Sequence, residues 1–145
     1  MQYRKFGKHD LRLSALGFGT MRLPIFDNDA AKIDEEQSAK MLRYAVEHGV
    51  NYIDTAWPYH REQSELVVGR ILKDGLRDKV HLATKSPVWL VESHSDLDKY
   101  LDKQLEKLQT DHIDMYLLHS LAKDRWSALV KHDPFTFLDK AKTDG

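Results

Sequence analysis

Residues 51–59 read N-Y-I-D-T-A-W-P-Y, and this stretch decides the fold. Val50 to Asp54 has the short apolar character of a buried strand. It ends on a carboxylate, Asp54, and the loop behind it presents a phenol, Tyr59, five residues later. A carboxylate taken partly out of water needs a partner. Two later apolar runs end on suitable ones: A-T-K closes on Lys85, and L-L-H closes on His119. Asp54 and Lys85 are 31 positions apart, and Lys85 and His119 are 34 apart. Each interval is the length of one strand–helix unit. Successive strands of a parallel sheet point the same way, so all three residues fall on the rim formed by the strands' C-terminal ends, with Tyr59 just above it. Open α/β sheets and barrels place their active sites on that rim.

Working outward, the flanking chain supplies the units this register needs. Tyr3 to Phe6 and Leu11 to Ser14 flank a turn at residues 7–10 and predict a β-hairpin. Leu16 to Met21 is a short apolar run with two glycines, read as a buried strand that something approaches closely. Pro24 to Lys32 reads as a polar loop. Asp34, with Gln37 three residues on, predicts a capped helix whose stripe is Ala39, Leu42, Ala45 and Val46 and whose stop is Gly49. A second helix is expected from about Glu62 to Asp74. Val80 to Thr84 and Ile113 to Leu118 are further strands. Leu97, Leu101, Leu105 and Leu108 put an apolar stripe on a helix from Ser95, read as packing toward a sheet. Asp133 followed by Pro134 predicts a last helix reaching about Lys142. Strand and helix alternate in units of about 30 residues, the signature of right-handed βαβ units and a parallel sheet.

Composition excludes several classes of function. The chain of 145 residues carries 22 Lys and Arg against 23 Asp and Glu, for a net charge of -1. That balance gives no electrostatic case for nucleic acid or an anionic membrane. Cysteine is absent, so the chain holds no disulfide and no thiolate metal ligand. No apolar run approaches the roughly 20 residues that span a bilayer. A cytoplasmic location is the expectation. The histidines other than His119, His60 and His112 among them, show no metal-ligand spacing and read as solvated surface. No metal site is expected. Gly17 and Gly19 do not open a dinucleotide-binding G-x-G-x-x-G motif, because Arg22 stands where the third glycine would be.

The four rim residues combine into a recognisable chemistry. A tyrosine near its ordinary pKa of about 10 is a poor acid at neutral pH. A nearby ammonium favours its phenolate, and a carboxylate holds that ammonium in place. A histidine can donate a hydrogen bond to a carbonyl oxygen. Together they can protonate an oxygen on which negative charge develops. Reduction of a carbonyl by hydride needs that, and the hydride must come from a cofactor.

The chain resembles the aldo-keto reductase family. The resemblance is carried by G-F-G-T-M at residues 17–21, D-T-A-W-P-Y at 54–59, A-T-K at 83–85 and Y-L-L-H at 116–119. It implies a (β/α)8 TIM barrel of which residues 1–145 are the N-terminal half, about four βα units preceded by the hairpin. It implies an NAD(P)H-dependent oxidoreductase that reduces aldehydes or ketones, with Asp54, Tyr59, Lys85 and His119 catalytic and Tyr59 the proton donor. Gly19, Thr20, Met21 and Asp54 would contact the cofactor, with NADP(H) expected and NAD(H) the alternative. Trp57, Pro58, Trp89 and His119 would line the substrate pocket. The stretches L-A-T-K-S-P-V-W and L-H-S-L-A-K-D-R-W are similar to a subgroup whose longer members carry a C-terminal iron–sulfur module. A whole barrel takes about 250 residues. The open edges of a half-barrel are therefore expected to be covered by the rest of a longer chain or by a second half-barrel, and the 145 residues alone are expected to be inactive. A regulatory binding subunit of the same fold and a non-redox barrel enzyme are the alternative readings.

Overall fold

The computed structural model describes residues 1–73 and 75–144. An antiparallel hairpin of β1 (Tyr3–Lys5) and β2 (Arg12–Ser14) precedes a parallel sheet. The sheet runs β3 (Phe18–Gly19), β4 (Tyr52–Asp54), β5 (His81–Ser86), β6 (Met115–Leu118), in chain order. Helices α1 (Glu35–Glu47), α2 (Ser64–Leu72) and α3 (His94–Leu108) connect successive strands. Helices α4 (Lys123–Leu129) and α5 (Pro134–Asp144) follow β6. The architecture is α/β, with the winding of a partial (β/α)8 barrel.

Alternation along the strands sorts the side chains between two faces. Ile53 and Leu82 have no exposed surface and pack with Leu42, Val67, Ile71 and Leu108 of the helices. Asp54, one residue after Ile53, and Lys85, three after Leu82, therefore emerge on the opposite, inward face of the curved sheet. Met115 and Leu117 share that inward face, and Leu117 is 39 % exposed. Ile53 and Leu82 do not contribute to the inward face, because each is out of phase with the polar set. A second core joins Val88, Leu97, Leu129 and Phe137 to Tyr116 and Leu118 on the helical side of β6.

Helix ends follow local chemistry. The Asp34 carboxylate accepts from Gln37 N at 2.9 Å and starts α1. Gly49, at φ +93°, takes the chain away from its end. The α3 start lies one residue earlier than the leucine stripe suggests, because Asp96 accepts from Ser93 N at 2.9 Å and closes a capping box. The α2 start lies later than expected, since Glu62 is left-handed at φ 69°; Asp74, the expected last residue, is outside the described residues. Inside α2, a Cβ on Gly69 would stand 2.6 Å from the Leu108 and Lys107 carbonyl oxygens, so a glycine is what lets α2 and α3 approach this closely. The expected strand at 16–21 narrows to Phe18–Gly19, and β5 runs on to Ser86. The loop at 24–32 carries a bridge between Ile25 and Ile33. Helix α4 has no counterpart in the reading of the sequence.

The N-terminal ends of the strands are densely bonded. Asn51 accepts from Ser14 N at 2.7 Å and donates to Arg12 O at 2.9 Å, which fixes the hairpin beneath β4. Asp114, just before β6, accepts from Leu82 N at 2.9 Å and from Arg77 at 2.7 Å. Arg77 also donates to Thr110, Val80 and His112. Burial pushes the Asp114 carboxyl up, but the Leu82 N–H and the Arg77 guanidinium outweigh it and hold its pKa below the ordinary value. Among the described residues no helix is long and apolar enough to cross a membrane.

Candidate active site

The parallel register brings the rim residues level. Gly19 lies opposite Asp54, Asp54 opposite Ala83, and Lys85 opposite Leu117. Each chain keeps its sheet bond just past its strand: Thr20 N to Asp54 O, Thr55 N to Ala83 O and His119 N to Ser86 O. These bonds carry His119 to the same level as Lys85.

Lys85 is the hub. Its Nζ lies 2.6 Å from Asp54 Oδ1, 2.8 Å from Thr55 O and 3.2 Å from the Tyr59 hydroxyl. An ammonium has three donors, and all three are used, so its direction is set by the sheet rather than by solvent. The Lys85 side chain is 13 % exposed, dry enough for the charge to act strongly on its neighbours.

Tyr59 stands on a turn that is costly to make. His60, Arg61 and Glu62 are all left-handed, at φ 53°, 51° and 69°, a conformation that costs a side-chain-bearing residue about 1–2 kcal/mol. The surroundings hold it in place. His60 Nδ1 donates to Ala30 O at 2.9 Å, and its Nε2 accepts from Leu23 N at 3.1 Å. Arg61 lies 3.5 Å from Asp29. The loop between β3 and α1 thus clamps the residue that follows the phenol. His60 is partly buried and bonded at both ring nitrogens, which corrects its reading as solvated surface. The missing signal was pairing over 30 and 37 positions, which no local pattern shows.

His119 meets the Tyr59 ring edge-on at 5.9 Å and the Trp89 ring at 5.3 Å. Its Nδ1 is buried without a hydrogen-bond partner among the described residues. Burial lowers its pKa, the Lys85 charge lowers it further, and Asp54 opposes both. The ring is therefore neutral at pH 7 and has one N–H to offer. A cavity of about 810 Å³ opens here, with Met21, Pro58, Tyr59, Trp89, His119 and Arg125 among its walls.

Trp57 is turned elsewhere. Its ring packs edge-on against Tyr100 at 5.1 Å, with Lys107 Nζ 3.7 Å over its face. It belongs to the contact with α3 and not to the cavity wall, so the expectation of a pocket residue at 57 is not met. Gly19 and Met21 do reach the rim. Thr20 is fully buried, and its hydroxyl bonds Asp54 O at 3.0 Å and Ser64 Oγ at 2.9 Å. It braces the Asp54 backbone from behind.

Behind the sheet lies a buried polar layer that the reading of the sequence passed over. Glu65 accepts from Thr84 at 2.6 Å and from Gln104 at 2.5 Å. Gln104 also donates to Lys85 O and accepts from Tyr116. Lys107 lies 3.5 Å from Glu65. Burial raises the Glu65 pKa against these partners. The available signal was Gln104 itself, a polar residue three positions after Leu101 and four before Leu108, on an apolar helix face. Among the described residues no group of three or more His, Cys, Asp or Glu side chains could hold a metal ion.

Comparison with known proteins identifies the family. The profile of the Aldo/keto reductase family matches residues 15–145. The oxidoreductase YqkF of Bacillus subtilis, itself uncharacterised, is 36 % identical over 128 residues, covering 82 % of this chain and 39 % of its own length. The aldo-keto reductase YhdN of the same organism is 33 % identical and covers 82 % of this chain and 38 % of itself. The chain thus spans well under half the length of these relatives. Among solved structures, a Pseudomonas aeruginosa protein assigned to the aldo-keto reductases superposes with a TM-score of 0.82 at 27 % identity, over 99 % of this chain and 56 % of the other. An aldo-keto reductase of Klebsiella pneumoniae, solved with NADPH, gives 0.67 at 30 % identity, over 88 % and 43 %. With the match covering all but the hairpin, the chain belongs to the aldo/keto reductase family.

Proposed function

We propose that this chain supplies the proton-transfer side of an NAD(P)H-dependent carbonyl reductase. The observation that carries the reading is Lys85 bonded at once to Asp54 and to the Tyr59 hydroxyl. Tyr59 gives its proton to the carbonyl oxygen of an aldehyde or ketone. The ammonium of Lys85, already aimed at the phenol oxygen, stabilises the negative charge left there. Asp54 keeps the ammonium in that direction. His119, neutral and partnerless at a ring nitrogen, orients the carbonyl. A second carboxylate partner for Lys85 is absent among the described residues, so its charge is spent on the phenol.

The residues fit a nicotinamide ring beside them. Gly19 sits next to Asp54 in the register, and a Cβ placed on it would meet nothing within 4 Å. A flat ring has room against that backbone, between Met21 and the tetrad. Gly19, Met21 and the rim around Asp54 would hold it, and Thr20 would act through the Asp54 backbone. When bound, the dihydronicotinamide supplies the hydride. The Klebsiella relative's NADPH supports the cofactor class, with NADP(H) preferred here and NAD(H) second.

The partner reading is also a proposal. Strands β3 and β6 each have one neighbour in the sheet. The inward face leaves Leu117 and Met115 partly exposed. We take that face to be covered in the working protein by further barrel strands, from the same polypeptide or from a second copy. The test of the catalytic reading is Tyr59→Phe in the protein expressed from its native reading frame. Turnover of a simple aldehyde should fall about 10²–10⁴-fold, with NADPH affinity unchanged. Undiminished turnover would refute it.

A further inference from the structure

The cavity in front of Tyr59 and His119 has an uneven charge. Its charged walls are Arg22, Arg61 and Arg125, and no carboxylate lines it. Arg61 is neutralised by Asp29 at 3.5 Å. Asp54, the acid nearest the tetrad, is committed to Lys85 at 2.6 Å. Arg22 and Arg125 are left without an acidic partner among the described residues.

Arg125 is the better placed of the two. One of its nitrogens donates to Ser120 O at 3.1 Å, which ties α4 back to the rim. Its guanidinium lies 5.6 Å over the Trp89 ring, and Trp89 packs on His119. None of its other N–H groups is bonded among the described residues. A guanidinium stacked on an aromatic ring, with donors left over, is held ready for a planar anion. Its charge also reaches His119, where it contributes to the lowered pKa of that ring.

We infer that the preferred substrates are carbonyl compounds that also carry a carboxylate, bound through Arg125 across the Trp89 face while the carbonyl meets Tyr59 and His119. This rests on the carbonyl-reductase reading and narrows it to a substrate class. Arg22, also in the cavity wall, adds positive potential without an aromatic ring beneath it.

The experiment compares 4-carboxybenzaldehyde with its methyl ester, using NADPH and the protein from its native reading frame. The acid should be reduced with the higher kcat/KM, mainly through a lower KM. Arg125→Ala should remove about 10- to 100-fold of that advantage, the range for a hydrogen bond to a charged group, and lower the ester's kcat/KM far less than the acid's. Arg125→Lys should restore part of it, as a charge without the planar fork. Raised salt should weaken the acid's advantage alone. Equal kcat/KM for both aldehydes, or an equal fall for both in Arg125→Ala, would overturn the inference while leaving the reductase reading intact. Failure to reduce either aldehyde would defeat that reading instead. In that event calorimetric titration of benzoate against benzamide decides the inference separately. Benzoate should bind the native protein more tightly than benzamide, and Arg125→Ala should abolish the difference. Benzoate binding that ignores Arg125 would place the anion at Lys85 and defeat the proposal.

Discussion

The two ends of the parallel sheet are built to different rules. At the N-terminal end, polar groups are paired and regular: Asn51 stitches the hairpin to β4, and Asp114 collects Leu82 N and Arg77. At the C-terminal end, the buried Nδ1 of His119, a residue of the cavity wall, has no partner among the described residues. The loops leaving β3, β4 and β6 hold left-handed residues at Asp27, Asn28, His60, Arg61, Glu62 and Ser120. Strain and unmet hydrogen-bonding capacity gather where a ligand can use them. In a barrel the lower rim stabilises and the upper rim reacts. The contrast predicts that substitutions at the two ends separate stability from turnover.

The largest effect belongs to the upper rim. Lys85→Met removes the charge that faces the phenol and should lower turnover about 10²–10⁴-fold. Its effect on thermal stability should be small, because Met fills the same channel and Asp54 lies near water. A steady-state assay beside a melting curve checks both. Loss of folding without a specific loss of turnover would erase the distinction between the ends.

Arg77→Ala is the converse at the lower rim. It removes four bonds and leaves Asp114 short of its cation, in a pair whose side chains are 16 % and 21 % exposed. Stability should drop by about 2–3 kcal/mol, read from urea midpoints, with KM and kcat nearly unchanged at temperatures where the variant is folded.

A smaller change falls between these extremes. His60→Ala deletes both ring bonds that clamp the left-handed turn after Tyr59. The stability cost should be about 1 kcal/mol, since the relaxed turn recovers part of its strain. Turnover should fall more than stability does, because the phenol then sits on a loose base. Equal proportional losses would show that the clamp is merely structural.

How much of this was legible beforehand follows from range. Asp54, Lys85 and His119 could be placed on one rim because strand direction and unit length are periodic properties of the chain. Tyr59 followed from its offset to Asp54. Trp57 was misplaced because residues 55–58 turn in a way that alternation cannot describe, sending the ring toward Tyr100. The His60 clamp and the Glu65–Gln104 layer depend on pairs from different βα units. Helix α4 is preceded by Ala122, which offers no side-chain cap, so the usual start signal was missing.

The finest test of the comparison is electrostatic and uses opposite signs. Asp114, at the lower rim, has a folded pKa below its unfolded value. Its contribution is present above the unfolded pKa of about 3.9 and is lost as pH falls through the folded pKa. Glu65, behind the upper rim, has a folded pKa above its unfolded value, chiefly through burial. Its favourable contribution is present below the unfolded pKa of about 4.3 and is lost as pH rises through the folded pKa. In the native protein the two oppose each other across the acid range. Asp114→Asn should therefore flatten the acid-side loss of stability. Glu65→Gln keeps an oxygen for Thr84 and removes the counterweight, so its stability relative to the native protein should rise as pH climbs from about 4 toward neutrality. Urea unfolding at a series of pH values gives both slopes. The same sign for the two variants would mean that the layer behind Lys85 is as well solvated as the lower rim, and the difference between the two ends would then lie in the loops alone.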